Sequence, residues 1–325
     1  MKDEIRGRRI LVTGAFGFIG ANLAKELLNQ GCEVHALVRP KTDRWRVREV
    51  IPHLAIHPVD LTDQEGLRKS VDFIRPEIIF HLAVGRPSAS NQDHREMLRV
   101  NVLGTFNLLE AVAPFDYHCF VHVGSSMEYG SRNEPMEESS HPEPLTFFGA
   151  TKAAATLICQ QFARGDNRPV VILRPFYVYG YWDSPTHLIP TAVMAALNHR
   201  ELLLTVPGYR RDYVFIEDLV EACLLVLWAR DIGGEVVNIA SGQQTANEEV
   251  VDLIQELTGQ RIEVRVGAYG ARCHDRPFWC ADIRKAKRLL NWGPRHTLKA
   301  GFEKTIAWHR LHKEEYDRVM PDTGY

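Results

Sequence analysis

The sequence predicts an α/β fold: a doubly wound parallel sheet with a smaller, interleaved C-terminal α/β region. Three observations predict it. Short β-branched runs alternate with helical periodicity through the first half of the chain. Those runs are apolar almost end to end, as strands covered on both faces require. Three evenly spaced glycines follow the first run and open the first helical segment.

The elements follow in order. "RRILVTG" (8–14) reads as a strand, and "ANLAKELLNQG" as a helix with Leu23, Leu27 and Leu28 on one face and Gly31 as its stop. Further strands are expected at 32–39, 54–61, 77–83, 119–126 and 169–176, with helices near 94–113 and 147–164. After residue 176 the rhythm breaks into prolines, Trp182 and loops, before "YVFIEDLVEACLLVLWA" and a strand "EVVNIAS". The expected division is a nucleotide-binding domain over 1–173, with parts of 214–240, and a substrate region over 174–325. The tail "HKEEYDRVMPDTGY" is polar and is expected to end in disorder.

Bulk properties exclude several classes. Of 325 residues, 45% are hydrophobic and 25% charged, which suits a globular chain with a sizeable core. A net charge of −2 argues against a general nucleic-acid binder. No apolar stretch approaches a membrane span, and no signal-peptide core is expected at the N-terminus. The six cysteines are scattered, which fits free thiols in a reducing cytoplasm. The histidines show no metal-ligand spacing, so no metal site is expected.

"VTGAFGFIGANL" carries the clearest chemistry. Gly14 permits a tight turn, Gly17 lets a pyrophosphate approach the backbone, and Gly20 lets helix and strand pack closely. The helix N-terminus then offers unpaired N–H groups to phosphate. At the end of the second strand stand Arg39, in "LVRPKTDRWR", and Arg44 nearby. A guanidinium there suits a 2′-phosphate, so NADP is preferred over NAD; a solvated basic loop, with Asp43 serving a ribose, is the alternative. Asp60, in "VDLTD", can meet the adenine amino group, or else it or Thr62 caps the next helix.

The motifs then accumulate: "TGAFGFIG", "DLTD", "HLAV", "NVLGTFNLLEA", "GSSMEYG", "FGATKAAA", "LRPFYVYG", "RRDYVFIEDLVEA" and "NIASG". Together, from about residue 8 to about 310, they resemble the extended short-chain dehydrogenase/reductases, the nucleotide-sugar epimerase, dehydratase and 4-ketoreductase group. The resemblance implies a Rossmann domain holding NAD(P) and a C-terminal part clamping a nucleoside-diphosphate sugar. It implies a homodimer joined through a four-helix bundle, here from the helices near 94–113 and 147–164. It assigns to the dinucleotide Gly14, Phe16, Gly17, Phe18, Ile19, Arg39, Asp60, Leu61, Leu82, Ala83, Val84, Asn101, Lys152, Pro175 and Val178.

The same resemblance assigns catalysis to a Ser/Thr, a Tyr and a Lys. Ser125 matches the first and Lys152 the last, but Phe148 falls at the tyrosine and has no proton to give. Three readings follow: an engineered Tyr→Phe inactivation, which the retained Ser125 and Lys152 favour; a natural enzyme using another acid or water; or a protein that binds without hydride chemistry. Tyr129, Tyr177 and Tyr179 are the stand-ins to test. The family's dehydratases carry a glutamate where Met127 stands, and a thioether is no base; Glu128 is displaced by one residue. Dehydration is therefore disfavoured, leaving a 4-ketoreductase, favoured by Arg39, or a 4-epimerase. Substrate contacts are implied at Ser126, Met127 and Tyr177. Arg211, with Arg210 beside it, and Arg272, with Asp275 ahead of Asp282, match the family's diphosphate positions, and "THLIPTAV" (186–193) can pack on a base.

Overall fold

The computed structural model describes residues 4–85, 93–165, 168–273 and 275–319. The first half alternates as β1 (Arg9–Thr13), α1 (Phe18–Asn29), β2 (Glu33–Val38), β3 (Ala55–Pro58), α2 (Gln64–Ile74), β4 (Ile78–His81), α3 (His94–Met97), α4 (Gly104–Val112), β5 (Cys119–Val123), α5 (Phe147–Gly165) and β6 (Val170–Pro175). Then come β7 (Tyr177–Tyr179), α6 (Leu188–Asn198), β8 (Leu202–Leu203), β9 (Arg210–Phe215), α7 (Ile216–Leu225), β10 (Val236–Ile239), β11 (Gln244–Ala246), α8 (Asn247–Thr258), β12 (Val264–Arg265), α9 (Arg284–Leu290), α10 (Leu298–Leu311) and α11 (Lys313–Val319).

The main sheet has seven strands in the order β10-β6-β5-β4-β1-β2-β3, all parallel. The expected "EVVNIAS" strand is β10, and it closes this sheet against β6. Side chains alternate between two cores because successive strand residues face opposite ways. Ile10, Val12, Phe80 and Val121 pack with Leu23, Leu27 and Leu219 of α1 and α7. Leu11, Ile79 and Phe120 pack with Leu67, Leu108 and Cys159 of α2, α4 and α5. Both faces are thus buried, which is why the strands read as continuous apolar runs. A three-stranded sheet, β11-β9-β7, and a two-stranded pair, β12-β8, form the C-terminal part.

Three details depart from the expectations. The helix near 94–113 is not uniform: residues Leu98–Leu103 form a π-helical turn between α3 and α4. Asp63, not Asp60 or Thr62, caps α2, accepting from Gly66 N–H at 3.0 Å. The polar tail contains α11, pinned by a buried Tyr316 whose hydroxyl donates to Asp183 O at 2.6 Å. Residues 320–325, where disorder was expected, lie outside the described residues.

The sheet's C-terminal edge is where β1 and β4 diverge in their connections, a topological switch point that opens a crevice. Two glycines let the backbone close up there. Gly14 has φ +69°, and a Cβ on it would stand 2.7 Å from Ala83 N. A Cβ on Gly20 would stand 2.1 Å from Gly14 O, inside any permitted contact. Gly20→Ala is therefore expected to destabilise the fold by about 3 kcal/mol. Urea unfolding monitored by circular dichroism checks this; a midpoint equal to that of the parent would contradict the packing described.

Candidate functional site

Above the edge of the sheet lie three cavities that share walls. The first is about 270 Å³ and is walled by Gly14, Phe16, Gly17, Arg39, Asp60, Leu61, Leu82, Ala83 and Val84. The second, inner cavity is about 340 Å³, and Phe18, Ile19, Leu82, Val84, Ser125, Ser126, Met127, Phe148, Lys152, Pro175, Tyr177 and Val178 all reach it. The third, outer cavity is about 100 Å³ and is lined by Tyr177, Arg211, Arg272 and Asp275. Leu82 and Val84 wall both the first and the inner cavity, and Tyr177 and His187 wall both the inner and the outer one.

The first cavity has the form a dinucleotide needs. Gly17 precedes α1 in extended geometry with no side-chain cap, so the first N–H groups of the helix stay open to an anion. A side chain at Gly14 would collide with the backbone of Leu82 and Ala83, which wall the same cavity. Arg39 reaches this cavity while its Nη1 pairs with Glu96 Oε1 at 3.2 Å on the surface. Asp60 Oδ1 accepts from the N–H and hydroxyl of Thr62, both at 2.8 Å. Asp43 joins the lining, but Arg44 does not; Arg46 does instead, its guanidinium 4.3 Å over the Trp45 ring and donating to Trp182 O. Nothing in the pattern of "DRWR" distinguishes the two arginines, because Trp45 packing selects which one turns inward. Asn101 reaches none of these cavities. In the π-helical turn, its amide bonds Gly85 N at 2.7 Å, Gly85 O at 3.0 Å and Thr151 Oγ1 at 2.9 Å, tying the end of β4 to α5.

The inner cavity gathers the three residues expected to carry catalysis. Helix α5 crosses the turn after β5 so closely that a Cβ on Gly149 would stand 2.3 Å from Met127 O. This crossing brings Phe148 and Lys152 beside Ser125. The Ser125 Oγ accepts from Met127 N–H at 3.2 Å, leaving its own proton to donate. Lys152 Nζ donates to Val123 O at 2.6 Å and lies 3.3 Å from His122 Nε2. His122 is pushed well below its ordinary pKa, first by burial and then by the charge of Lys152. His81 is pushed down to about 3 for the same two reasons, its ring bonded to Thr13 and Thr105 hydroxyls. Both imidazoles are therefore neutral beside the Lys152 ammonium.

Of the proposed stand-ins for the missing phenol, Tyr129 faces the core. Its hydroxyl donates to Asn238 Oδ1 at 2.7 Å, and burial raises its pKa to about 12. Tyr179 is also buried, raised by the same cause, and bonded to Leu298 O. Only Tyr177 reaches the inner cavity. Glu128 does not: its carboxylate points inward, held by Ser125 N–H and by Arg174. Thr146, unassigned from the sequence, does line the inner cavity, with Oγ1 accepting from Gly149 N–H at 2.9 Å.

In the outer cavity, alternation along β9 separates the tandem arginines. Arg211 is buried, its Nη2 on Asp275 Oδ1 at 2.7 Å, whereas Arg210 lies at the surface on Glu249. Asp275 also accepts from Arg272 N–H at 2.8 Å, shaping the loop that presents Arg272. Asp282 lies away from the cavity, paired with Arg284. His187, Leu188 and Thr191 of the "THLIPTAV" run line it, with Leu202, Leu204 and Tyr269. Tyr269 sits in a loop with no periodicity to announce it. Among the described residues no cluster fit to hold a metal occurs, and no helix is long and apolar enough to cross a membrane.

A glycine cradle at a parallel-sheet switch point, walled off by shared residues from a Ser and Lys pair and these in turn from a buried arginine, defines a nucleotide-dependent α/β enzyme class. Residues 10–240 match the NAD dependent epimerase/dehydratase family, and the chain belongs to that family. A dTDP-glucose 4,6-dehydratase of Neisseria meningitidis serogroup B is 27% identical, over 96% of each chain. A UDP-glucose 4-epimerase of Thermotoga maritima, solved with UDP-glucose, is 27% identical over 94% of this chain and 99% of that one, with a TM-score of 0.86. MoeE5, solved with UDP-glucuronic acid and NAD, is 34% identical over 93% and 99%, with a TM-score of 0.82.

The neutral buried histidines carry a pH signature. Unfolded, His81 titrates near its ordinary 6.5; folded, near 3. Between those values the unfolded chain binds the extra proton, so stability falls as pH falls. Going from pH 7 to pH 5 is expected to cost about 2 kcal/mol through His81 alone. Urea unfolding at both pH values should show that difference shrink by as much in His81→Asn; an equal difference in the two proteins would refute it.

Proposed function

We propose that the chain binds a UDP-hexose with its C4 in the inner cavity and performs hydride exchange there. The observation that carries this reading is the convergence of Ser125, Phe148 and Lys152 on one cavity that shares walls with both the glycine cradle and the arginine-lined outer cavity. A nicotinamide dinucleotide, when bound, supplies or accepts the hydride. Gly14, Gly17 and the α1 N-terminus would hold its pyrophosphate, and Lys152 its nicotinamide ribose. Ser125 donates to the reacting sugar oxygen, while Arg211 and Arg272 neutralise the sugar's diphosphate. Phe148 fills the volume of the family's tyrosine without supplying a proton, so the chain as it stands is impaired by about 10²–10⁴-fold. The inward carboxylate of Glu128 and the thioether of Met127 leave neither of these side chains as a base for dehydration.

Two directions of exchange each have support. The NAD and UDP-sugars bound by the similar solved enzymes favour C4 epimerisation with retained NAD, and the existing pairing of Arg39 with Glu96 agrees. The position of Arg39 in the adenosine cavity favours the second reading, an NADPH-dependent 4-ketoreductase. A homodimer belongs to the same proposal: Leu98, Leu103, Phe106 and Leu157 expose an apolar face along α4, the π-helical turn and α5.

Phe148→Tyr is expected to raise turnover by about 10²–10⁴-fold. Nicotinamide absorbance and product stereochemistry should be followed on UDP-glucose and on 4-keto nucleotide sugars. Epimer formation without net cofactor change supports the first reading, and net NADPH oxidation the second. Binding of nucleotide and sugar without turnover in the restored variant would instead make this a binding protein. For the dimer, Leu157→Glu is expected to sediment at half the parent mass; a parent that sediments as a monomer would remove the dimer.

A further inference from the structure

We infer that Glu128 and Arg174 are positioning residues for Ser125, their buried ion pair fixing the turn that aims the serine hydroxyl into the inner cavity. This rests on the proposed role of Ser125 as the group that meets the sugar oxygen. Glu128 Oε1 accepts the Ser125 backbone N–H at 2.7 Å, and Oε2 accepts from Arg174 Nη2 at 2.7 Å. Neither side chain is open to solvent, at 0% and 3% exposure. Ser125 caps the same turn through its Oγ, so serine and glutamate satisfy one another's ends reciprocally. The Ser125 rotamer is thereby bound to the position of the carboxylate.

The surroundings are cut to fit that carboxylate. A Cβ on Gly124 would stand 2.6 Å from Glu128 Oε1, while its next neighbours, on Ile172 and Leu173, stand at 3.4 Å. A side chain at 124 and a carboxylate at 128 therefore exclude one another. Arg174 arrives from β6 with its guanidinium 4.3 Å over the Tyr129 ring, and Tyr129 is bonded to Asn238 on β10. The turn after β5 is thus braced from β6, beside it, and through Tyr129 from β10 one strand further on. An apolar residue at 128 would fill the space but leave the Ser125 N–H without an acceptor and Arg174 without a counter-charge.

Removing Glu128 alone strands a buried cation, so the test replaces both partners with apolar side chains, Glu128→Val with Arg174→Met. The first arm needs no ligand. Amide hydrogen exchange at Ser125 is expected to accelerate about 10²-fold in the paired variant, with Phe120 and Val121 of β5 still protected. Unchanged exchange at Ser125 overturns the proposal.

The second arm measures UDP and UDP-glucose affinity by calorimetry with NAD present. The paired replacement is expected to weaken UDP-glucose about tenfold, as Ser125→Ala does, and to leave UDP within about twofold. Combined with Ser125→Ala it should add nothing, because it acts only through that residue. Losses that multiply, or that fall equally on UDP, overturn it. If Ser125→Ala leaves UDP-glucose affinity intact while the first arm succeeds, the assignment of Ser125 to the sugar fails, and the positioning role falls with it. Gly124→Ala should lower the melting temperature of the parent and not of the paired variant; equal lowering in both contradicts the fit.

Discussion

The contact of two backbones at the mouth of the sheet governs the rest of the structure. Gly14 and Gly20 let the first turn of α1 lie against β1 and the end of β4 at distances no side chain would allow. With the helix seated there, its unsatisfied N–H groups face the crevice where strand order reverses. The other chemical groups are placed relative to that opening. β5 ends beside it and delivers the Ser125 turn; α5 crosses that turn and delivers Lys152; β9 delivers Arg211. The first two depend on a parallel sheet whose strands all end on one side, whereas β9 belongs to the smaller three-stranded sheet.

Much of this could be read from residues near one another in sequence. Alternating apolar runs fixed the seven-strand sheet because both faces are buried, and the glycine spacing located the cradle because a local steric rule demands it. What escaped reading was set by distant contacts. The facing of Glu128 depends on Arg174, 46 residues away. The polar look of "HKEEYDRV" hides a helix because one residue, Tyr316, finds Trp45 and Asp183 across the fold. Arg46 rather than Arg44 turns toward the first cavity because its guanidinium lies over Trp45 and reaches Trp182. Asn101 carries a family motif and yet joins chain to chain, a role visible only once Gly85 and Thr151 are seen beside it.

The electrostatics of the inner cavity follow from depth. Lys152 is 4% exposed; its ammonium donates to the Val123 carbonyl and lies beside the neutral His122 imidazole. At that depth a positive charge acts more strongly on its neighbours than it would in water. Phe148 lines the same cavity as Lys152, so an ionisable hydroxyl at that position would feel the charge. With a phenyl ring there, it acts only on whatever occupies the cavity, favouring electron-rich oxygen at that spot.

The π-helical turn at Leu98–Leu103 has an evolutionary corollary. Such a turn is the footprint of one surplus residue accommodated inside a helix. Each residue rotates an α-helix by about 100°, so excising the surplus would straighten the rod and swing its two halves out of phase. Asn101 and the apolar flank bearing Leu103 and Phe106 would then no longer look in their present directions. Lineages descending from this chain thus cannot shorten the segment by a single codon without turning Asn101 away from Gly85 and Thr151.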